Sequence, residues 1–323
     1  MIYQFTHNDL DGIMSALVAQ FHYLPLKMNR PTKIRYESTC SYGTIDSSIL
    51  YALDNFDDIE HILITDLTPS EHVLERLKNE SAEGRYTVEV IDHHLSASHL
   101  QEIYPFITNY ETHDDGKATS ATSMVLDAMD KTGIPYHMSD GMRLVIEAVR
   151  EYDTWDWTKT PDSPLTKEVA QKLNEAVYLL GIDQFVDFMV FESGEVKHHP
   201  VELFGTFLNK LLDNQIAKAE RYVTKSAEHA QFTDLTIDGQ TYHVGYVAAT
   251  SNLSEVGNAV AKLPNVDFAV VINGVKVSLR ASEESTADLS VIAKAFNGGG
   301  HIKAAGGRLN MDYEEILQST INE

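Results

Sequence analysis

The chain has 323 residues, of which 43% are hydrophobic and 23% are charged, and its formal net charge is −23. This length predicts two domains, and this composition is typical of a globular protein with a substantial core. The large negative charge argues against a protein that holds long nucleic acids by their phosphates, because such proteins need a basic surface.

The first 94 residues alternate between predicted strands and helices. A helix is predicted over residues 10–24, and strands are predicted over residues 2–6, 34–38, 61–66 and 86–91. A further helix is expected to start at Thr68-Pro69-Ser70-Glu71, which has the pattern of a capping box with Thr68 as the N-cap. This alternation is typical of a parallel β-sheet with helices on its faces.

The rest of the chain has a different pattern. Helices are predicted over residues 119–152, with a break near Gly133, and over 166–230, with a loop at 158–164 between them. Beyond the turn at Asp238-Gly239 we expect a helix over residues 288–296 and strands over 242–249, 268–272 and 275–279. Asn273-Gly274 is a strong hairpin signal between the last two strands.

These elements predict an α/β fold in three parts. We expect an N-terminal domain with a Rossmann-like parallel sheet over residues 1–190, a helical linker over 191–235, and a smaller α/β domain with a mixed sheet over 236–323.

Three of the predicted strands end on side chains that can bind metal ions. In parallel sheets the carboxyl ends of the strands meet at one edge, where ligands bind. The side chains at that edge would be His7, Asp9, Asp11, Asp66, Asp92, His93 and His94. A single Asp or His after a strand is more often structural, but so many carboxylates would repel one another unless cations neutralised them. Carboxylate and imidazole donors without thiolates favour Mn²⁺, Mg²⁺ or Fe over structural Zn²⁺.

These residues resemble the signature of the DHH phosphoesterase superfamily. Its first motif corresponds to His7-Asn8-Asp9-Leu10-Asp11, with the short spacing of the RecJ-like form, its second to Asp66, and its third to Asp92-His93-His94. We match its fourth motif to Asp153, with Asp156 as the alternative.

The C-terminal third is similar to the DHH-associated domain of the RecJ and oligoribonuclease branches. The motif is Gly298-Gly299-Gly300-His301, preceded by Arg280 and followed by Gly306-Gly307. Alone, such a glycine run is most often only a helix C-cap. The resemblance therefore extends over nearly the whole chain and argues against the pyrophosphatase branch, which has a different C-terminal domain.

The resemblance implies a centre with two Mn²⁺ ions, which Mg²⁺ could replace. One ion would be held by His7, Asp9 and Asp66, and the other by Asp11, Asp66, His93 and Asp153. Asp66 would bridge the ions, which would activate a water molecule to attack phosphorus.

The resemblance also implies roles beyond the metal ligands. Asp92 would orient His93, and His94 would face the substrate phosphate. In the C-terminal domain the substrate would be bound by Arg280, Gly298, Gly299, Gly300 and His301. Lys303 and Arg308 are either further cations of that site or ordinary surface charges. The aromatic residues Tyr152, Trp155 and Trp157 would pack beneath the metal site or stack on a base.

The sequence also predicts the localisation of the protein. Its first residues lack the basic and apolar regions of a signal peptide, and its apolar runs are far shorter than the roughly 18 residues of a membrane span. Cys40 is the only cysteine, which excludes an intrachain disulfide and a cysteine-based zinc site. We therefore expect a cytoplasmic protein that binds neither membranes nor long duplex nucleic acid.

The implied activity is hydrolysis of short oligonucleotides, bound in the cleft between domains, to 5′-mononucleotides. Phosphatase activity on adenosine 3′,5′-bisphosphate would be a second activity. The alternatives are hydrolysis of linear or cyclic dinucleotides, and a sensor that binds a nucleotide without hydrolysing it. A processive exonuclease is disfavoured, because the chain has no room for an added nucleic-acid-binding module. The oligomeric state is left open, with a homodimer as one option.

Overall fold

In a computed structural model of the protein, the structure describes residues 1–26, 34–133, 138–158, 164–193 and 203–310. The chain divides into two compact units, Met1–Asp213 and Asn214–Glu323. The separate linker expected from the sequence stays a prediction. Among the described residues, no helix is both long enough and apolar enough to cross a membrane.

The first unit begins with a parallel β-sheet and the helices that connect its strands. The elements are β1 Ile2–His7, α1 Leu10–Leu26, β2 Ile34–Cys40, α2 Ile45–Asn55, β3 His61–Thr65, α3 Glu71–Ala82, β4 Thr87–Ile91 and β5 Ile107–Thr108. All neighbouring strands are parallel, and their order is β2-β1-β3-β4-β5. The predicted parallel sheet is confirmed, whereas α2 and β5 were not foreseen.

The two faces of this sheet pack against different helices. Tyr3 and Phe5 of β1 are fully buried in a core that they share with α2 and α3. The alternating residues Gln4 and Thr6 face α1, where the Gln4 side-chain amide donates to the carbonyl of Ala16 at 3.0 Å. Because successive side chains of a strand point to opposite faces, β1 lies between two layers of helices.

The turn between β1 and α1 depends on Gly12. A Cβ atom at this position would lie 2.4 Å from the carbonyl oxygen of His7, which is closer than packed atoms can approach. The Gly12 carbonyl also accepts a hydrogen bond of 2.6 Å from the hydroxyl of Thr6. A residue without a side chain therefore lets α1 begin directly against the end of β1.

Helices complete the first unit. They are α4 Ala121–Thr132, α5 Asp140–Asp153, α6 Pro164–Leu180, α7 Ile182–Ser193 and α8 Gly205–Glu228, which continues into the second unit. Their buried residues form one core with α1 and with Leu63 and Ile91 of the sheet. The predicted helical region is confirmed, while most of the loop expected at 158–164 lies outside the described residues.

The expected capping box of α3 is wrong. The helix begins at Glu71 with Ser70 as its N-cap, and no side chain makes a capping hydrogen bond there. The hydroxyl of Thr68 instead donates to Oδ2 of Asp92 at 2.6 Å. A capping hydroxyl has to accept a backbone N–H of the helix, whereas the Thr68 hydroxyl is directed as a donor toward a carboxylate that follows a neighbouring strand, a contact that local sequence does not reveal.

The second unit contains a mixed six-stranded sheet. The elements are β6 Gln231–Ile237, β7 Gln240–Ala248, α9 Leu253–Ala261, β8 Phe268–Asn273, β9 Lys276–Arg280, α10 Leu289–Ile292, β10 Gly299–Gly300 and β11 Ala304–Arg308. The strand order is β10-β11-β9-β8-β7-β6, in which only β7 and β8 are parallel neighbours. This confirms the mixed sheet, although β6, β10, β11 and α9 were not foreseen.

The glycine run packs tightly against β11 at some positions and not at others. A Cβ atom at Gly298 would lie 1.9 Å from the carbonyl oxygen of Gly306. Gly300 has a φ of 148° and would place a Cβ atom 2.6 Å from Cα of Ala305. At Gly299, in contrast, a Cβ atom would have no neighbour within 4 Å. Gly298 and Gly300 are therefore required by packing, and Gly299 is not.

This difference predicts opposite outcomes for two adjacent substitutions. Gly298→Ala should lower the free energy of unfolding by about 1–3 kcal/mol, because the methyl group forces the backbone of β11 away. Gly299→Ala should change it by less than about 1 kcal/mol. Urea unfolding followed by circular dichroism measures both, and equal losses in the two variants would contradict the packing described here.

Candidate metal centre

The carboxyl edge of the first sheet gathers the metal-binding side chains predicted from the sequence. Three groups of side chains could each hold a metal ion, because within each group one donor atom per residue lies within 4.8 Å of the others. The groups are His7, Asp9 and Asp66; Asp11, His93 and Asp153; and Asp66, His93 and His94. The ends of β1, β3 and β4 supply most of these residues, and the end of α5 supplies Asp153. The groups share Asp66 and His93, so they form one continuous centre.

Asp66 lies at the middle of this centre. Its Oδ1 is 3.4 Å from Nε2 of His93, and its Oδ2 is 3.7 Å from Nδ1 of His7. Asp66 is 1% exposed, and neither carboxylate oxygen accepts a hydrogen bond of good geometry from any residue that the structure describes. Nε2 of His93 is likewise buried without such a bond. Buried polar atoms without partners are costly, so these atoms are suited to an added ligand.

The backbone of Asp66 is also unusual. Its φ angle is 60°, in the left-handed region that non-glycine residues seldom occupy. Its backbone N–H remains bonded to the carbonyl of Ile91 on β4 at 2.9 Å. The chain therefore turns sharply at the end of β3 while it stays attached to the sheet. Such strain costs on the order of 1 kcal/mol and tends to cluster at functional sites.

Negative charge accumulates around Asp66. Burial, followed by the nearby charges of Asp9 and Asp11, raises the pKa of Asp66 to about 6. Burial and the charges of Asp11 and Asp66 likewise hold the pKa of Asp153 well above its usual range. Both shifts show that the centre has more carboxylate charge than its surroundings can stabilise. Divalent cations would supply the missing positive charge.

The imidazoles of the centre partly compensate this charge. Burial works to lower the pKa of His7, but the neighbouring carboxylates of Asp66 and Asp9 outweigh it and raise the pKa to about 10. His93 follows the same pattern: burial is opposed by the charges of Asp153 and Asp66, and its pKa is raised well above the usual value. Both rings must lose a proton to bind a metal ion, so metal binding would release protons.

Asp11 is held by the start of α4. Its Oδ2 accepts the backbone N–H of Ala121 at 2.6 Å, and its Oδ1 accepts that of Thr122 at 3.0 Å. Its Oδ2 also lies 4.0 Å from Nε2 of His93. A helix N-terminus stabilises negative charge, so α4 offsets part of the cost of burying this carboxylate.

Asp92 supports His94 and not His93, so the expected partner was wrong. Nδ1 of His94 donates to Oδ1 of Asp92 at 2.7 Å, and the backbone N–H of His94 donates to the same oxygen at 3.2 Å. The chain turns after β4 so that the His94 ring folds back onto Asp92, while Nε2 of His93 lies near Asp66. Although burial works to raise it, the hydrogen bonds from His94 and Thr68 lower the pKa of Asp92.

The two candidates for the fourth motif have different partners. Oδ2 of Asp153 lies 3.4 Å from Nε2 of His93 and so belongs to the centre. Asp156 instead accepts a 2.7 Å hydrogen bond from the guanidinium of Arg150, which is 3% exposed. The geometry therefore brings Asp153, and not Asp156, to the other donors.

The aromatic residues on either side of Asp153 are partly buried. The rings of Trp155 and Trp157 lie 5.4 Å apart, and Tyr152 packs against the helical core of the unit. Trp155 has a φ of 60°, a strained value for a bulky residue.

The sequence did not single out Tyr42 as a neighbour of the centre. Its ring lies 5.9 Å from the ring of His7 and 6.1 Å from that of His94. The strand predicted over 34–38 ends two residues before Cys40, which is the partner of His7 in the sheet register. Extending that strand would have marked the loop that holds Tyr42 as another strand end at the same edge.

In the second unit, Arg280 is a largely buried cation. Its guanidinium donates to the hydroxyls of Ser278 at 3.0 Å and Ser254 at 2.6 Å. It forms no ion pair with a carboxylate in the described parts of the chain. Burial lowers the pKa of Arg280, and the charge of Glu255 only partly offsets this.

The other predicted substrate-binding residues of the second unit are near its surface. Gly298, Gly299, Gly300 and His301 are exposed, and Arg308 is exposed at the end of β11. The ammonium group of Lys303 donates to the backbone carbonyls of Ser282 and Ser285. Lys303 therefore stabilises a loop of its own unit.

Comparison with known proteins identifies the family. No family model matches the chain. Oligoribonuclease NrnB from Bacillus subtilis (strain 168) is 32% identical over 98% of this chain and 75% of its own length. The DHH domain of a member of a ribosomal protein family has a TM-score of 0.64 at 14% identity, covering 99% of this chain and 85% of that chain. RecJ from Thermus thermophilus in complex with Mn²⁺ has a TM-score of 0.56 at 15% identity, covering 99% of this chain and 51% of that chain.

The two solved structures share the fold, and the identity to NrnB over most of both chains shows the family. The chain therefore belongs to the DHH-domain phosphoesterases, the family of hydrolases that includes oligoribonuclease NrnB.

Proposed function

We propose that this protein is a two-metal phosphodiesterase that hydrolyses short oligonucleotides and releases 5′-mononucleotides. The observation that carries the proposal is the set of buried atoms without hydrogen-bond partners at the centre, namely both carboxylate oxygens of Asp66 and Nε2 of His93. The relationship to an oligoribonuclease supports an oligonucleotide substrate, and the net charge of −23 favours short substrates over long ones.

The donor groups fit two divalent cations. His7, Asp9 and Asp66 would hold one ion, and Asp11, Asp66, His93 and Asp153 would hold the other. We propose Mn²⁺ as the natural ion because the donors mix carboxylate with imidazole and because the similar RecJ structure contains Mn²⁺. Ions bound there would lower the pKa of a water molecule and offset the charge of the substrate phosphate.

His94 would act on the leaving group. Burial works to lower its pKa, but the hydrogen bond and charge of Asp92 raise it, so the ring is suited to hold a proton. Attack of water on phosphorus would break its bond to the 3′ oxygen and leave the phosphate on the 5′ oxygen of the downstream nucleotide. The proton of His94 would pass to that 3′ oxygen. Asp92 fixes the ring, and Thr68 in turn fixes Asp92.

The second unit offers a group that would bind a substrate phosphate. Arg280 is a largely buried cation that donates to two hydroxyls and to the carbonyl of Leu279, all of them uncharged groups, so a phosphate could compete for a two-pronged hydrogen bond from it. Gly299 leaves open space next to the backbone, and His301 is exposed beside it. We therefore propose Arg280, Gly299 and His301 as substrate contacts, with Gly298 and Gly300 shaping the loop.

A substrate panel tests the activity. With Mn²⁺ present, the protein should convert a 5′-labelled pentaribonucleotide to 5′-mononucleotides faster than it hydrolyses adenosine 3′,5′-bisphosphate, cyclic diadenylate or pyrophosphate. Products are separated by ion-exchange chromatography. Turnover of none of these substrates by metal-loaded protein would leave the nucleotide-sensor alternative, and turnover of pyrophosphate alone would refute an oligonucleotide substrate.

Asp66→Asn should stabilise the metal-free protein and at the same time remove its activity. The pKa of Asp66 is about 6 in the folded protein, against roughly 4 in an unfolded chain. The stability that the protonated group contributes is therefore complete below about pH 4 and is lost as the pH rises through 6. At pH 8 the charged carboxylate opposes folding by up to about 3 kcal/mol. Because Asn also tolerates positive φ, the variant should raise the Tm of the metal-free protein at pH 8.

The activity of the same variant should be lower by about 10³-fold or more. Mn²⁺ should raise the Tm of the original protein but not that of the variant. The matched control is Asp57→Asn, which removes the same charge from an exposed position of the same unit and should change neither property. Normal hydrolysis by Asp66→Asn would refute the metal assignment.

Arg280→Ala should weaken substrate binding without affecting the metal centre. We expect KM for the pentaribonucleotide to rise by about tenfold or more, since one charge-assisted contact to phosphate is lost, while the Mn²⁺ dependence of Tm stays unchanged. Lys262→Ala removes an exposed cation of the same unit and serves as the control. An unchanged KM in Arg280→Ala would contradict a substrate role.

A further inference from the structure

Tyr42 is a large aromatic side chain that is 59% exposed beside the metal centre. Its ring lies edge-on to His94, with an angle of 86° between the ring planes, and is tilted by 55° toward His7. It therefore stands between a proposed metal ligand and the side chain that we expect to contact the substrate phosphate.

The loop that carries Tyr42 is held in place on both sides. Cys40 before it is fully buried and is the register partner of His7 on β1. After it, the backbone N–H of Thr44 donates to the carbonyl of Ser41 at 2.9 Å, and the Thr44 hydroxyl accepts the backbone N–H of Ser41 at 2.9 Å. The ring thus projects from a short hydrogen-bonded turn between β2 and α2.

Tyr51 shows how an exposed tyrosine is otherwise used in this unit. It is 58% exposed on α2, and its ring packs edge-on against Phe56 at 6.0 Å. Tyr42 has nearly the same exposure, but its ring neighbours are the two histidines of the centre. An aromatic ring placed among polar, charged groups presents a flat apolar surface where a substrate must approach.

We propose that Tyr42 forms a nucleobase subsite, in which its ring stacks on the base of the nucleotide whose phosphate is cleaved. The inference rests on the proposed oligonucleotide activity and adds the position of the base. A base is joined to its phosphate by one sugar, so a base stacked on Tyr42 leaves that phosphate close to His7 and His94. Stacking on an aromatic ring accepts any base, which suits an enzyme that degrades mixed sequences.

The ring, and not the hydroxyl, carries the binding. The tyrosine side chain is uncharged at physiological pH, because a phenol ordinarily loses its proton only at about pH 10. A neutral ring can stack on a base without repelling the adjacent phosphate. Phenylalanine should therefore replace Tyr42, whereas leucine, which is apolar but not planar, should not.

The test compares Tyr42→Ala, Tyr42→Leu and Tyr42→Phe on a pentaribonucleotide and on a series in which one nucleotide at a time is abasic. Tyr42→Ala and Tyr42→Leu should lower kcat/KM for the intact pentamer about tenfold, mainly through KM. They should cause no loss on the abasic substrate that lacks the stacked base. Tyr42→Phe and the matched control Tyr51→Ala should behave like the original protein, with the same Mn²⁺-dependent rise in Tm.

Other outcomes would overturn the subsite. An equal loss on every abasic substrate would assign Tyr42 to support of the centre, and a loss in Tyr42→Phe would assign the effect to the hydroxyl. An unchanged kcat/KM in Tyr42→Ala would show that the ring does not bind the base. Failure of the original protein to cleave the intact pentamer would refute the proposed function and the subsite together, so the two failures are distinguishable.

Discussion

The first unit depends on keeping several carboxylates close together at one edge of a parallel sheet. Asp11, Asp66 and Asp92 are each at most 2% exposed, so water screens their repulsion poorly. Hydrogen bonds from neighbouring groups offset most of the free-energy cost of this repulsion. The N-terminus of α4 supports Asp11, and Thr68 and His94 support Asp92. Asp66 has no equivalent hydrogen bonds from the described residues, so the free-energy cost of burying its charge must be offset by the ligand that binds there.

Because the carboxylates differ in their hydrogen bonds, they differ in their ability to bind a metal ion. The oxygens of Asp92 already accept hydrogen bonds from His94 and Thr68, so this residue can orient a neighbour but has little left to offer a metal ion. Asp66 is the reverse case, because its strained backbone and its carboxylate oxygens, which accept no hydrogen bond of good geometry from the described residues, destabilise the metal-free protein. Residues that destabilise the fold in this way persist where function requires them.

The sequence predicted those parts of the fold and centre that follow from local pattern. Alternating strands and helices predicted the parallel sheet, and the ends of strands predicted which side chains would meet at its edge. The capping box at Thr68 failed because the Thr68 hydroxyl bonds to Asp92, which follows a neighbouring strand. The pairing of Asp92 with His93 failed because the turn after β4 brings the His94 ring, two residues along the chain, back onto Asp92. Tyr42 was missed because the end of β2 was placed two residues too early, and a strand boundary is the least certain feature of a pattern.

The two units place side chains of opposite charge at their proposed substrate-binding groups. They should therefore bind an anionic substrate under different conditions. The first unit concentrates carboxylates, which repel a phosphate until cations are present. The second unit keeps a largely buried guanidinium at Arg280 that donates to hydroxyls and a backbone carbonyl, and so retains positive charge without a bound metal. A phosphate at Arg280 would therefore be attracted at any metal concentration, whereas a phosphate at Asp66 would be attracted only by the loaded centre. Substrate binding and hydrolysis should accordingly differ in their dependence on Mn²⁺, since only hydrolysis requires the first unit to be neutralised.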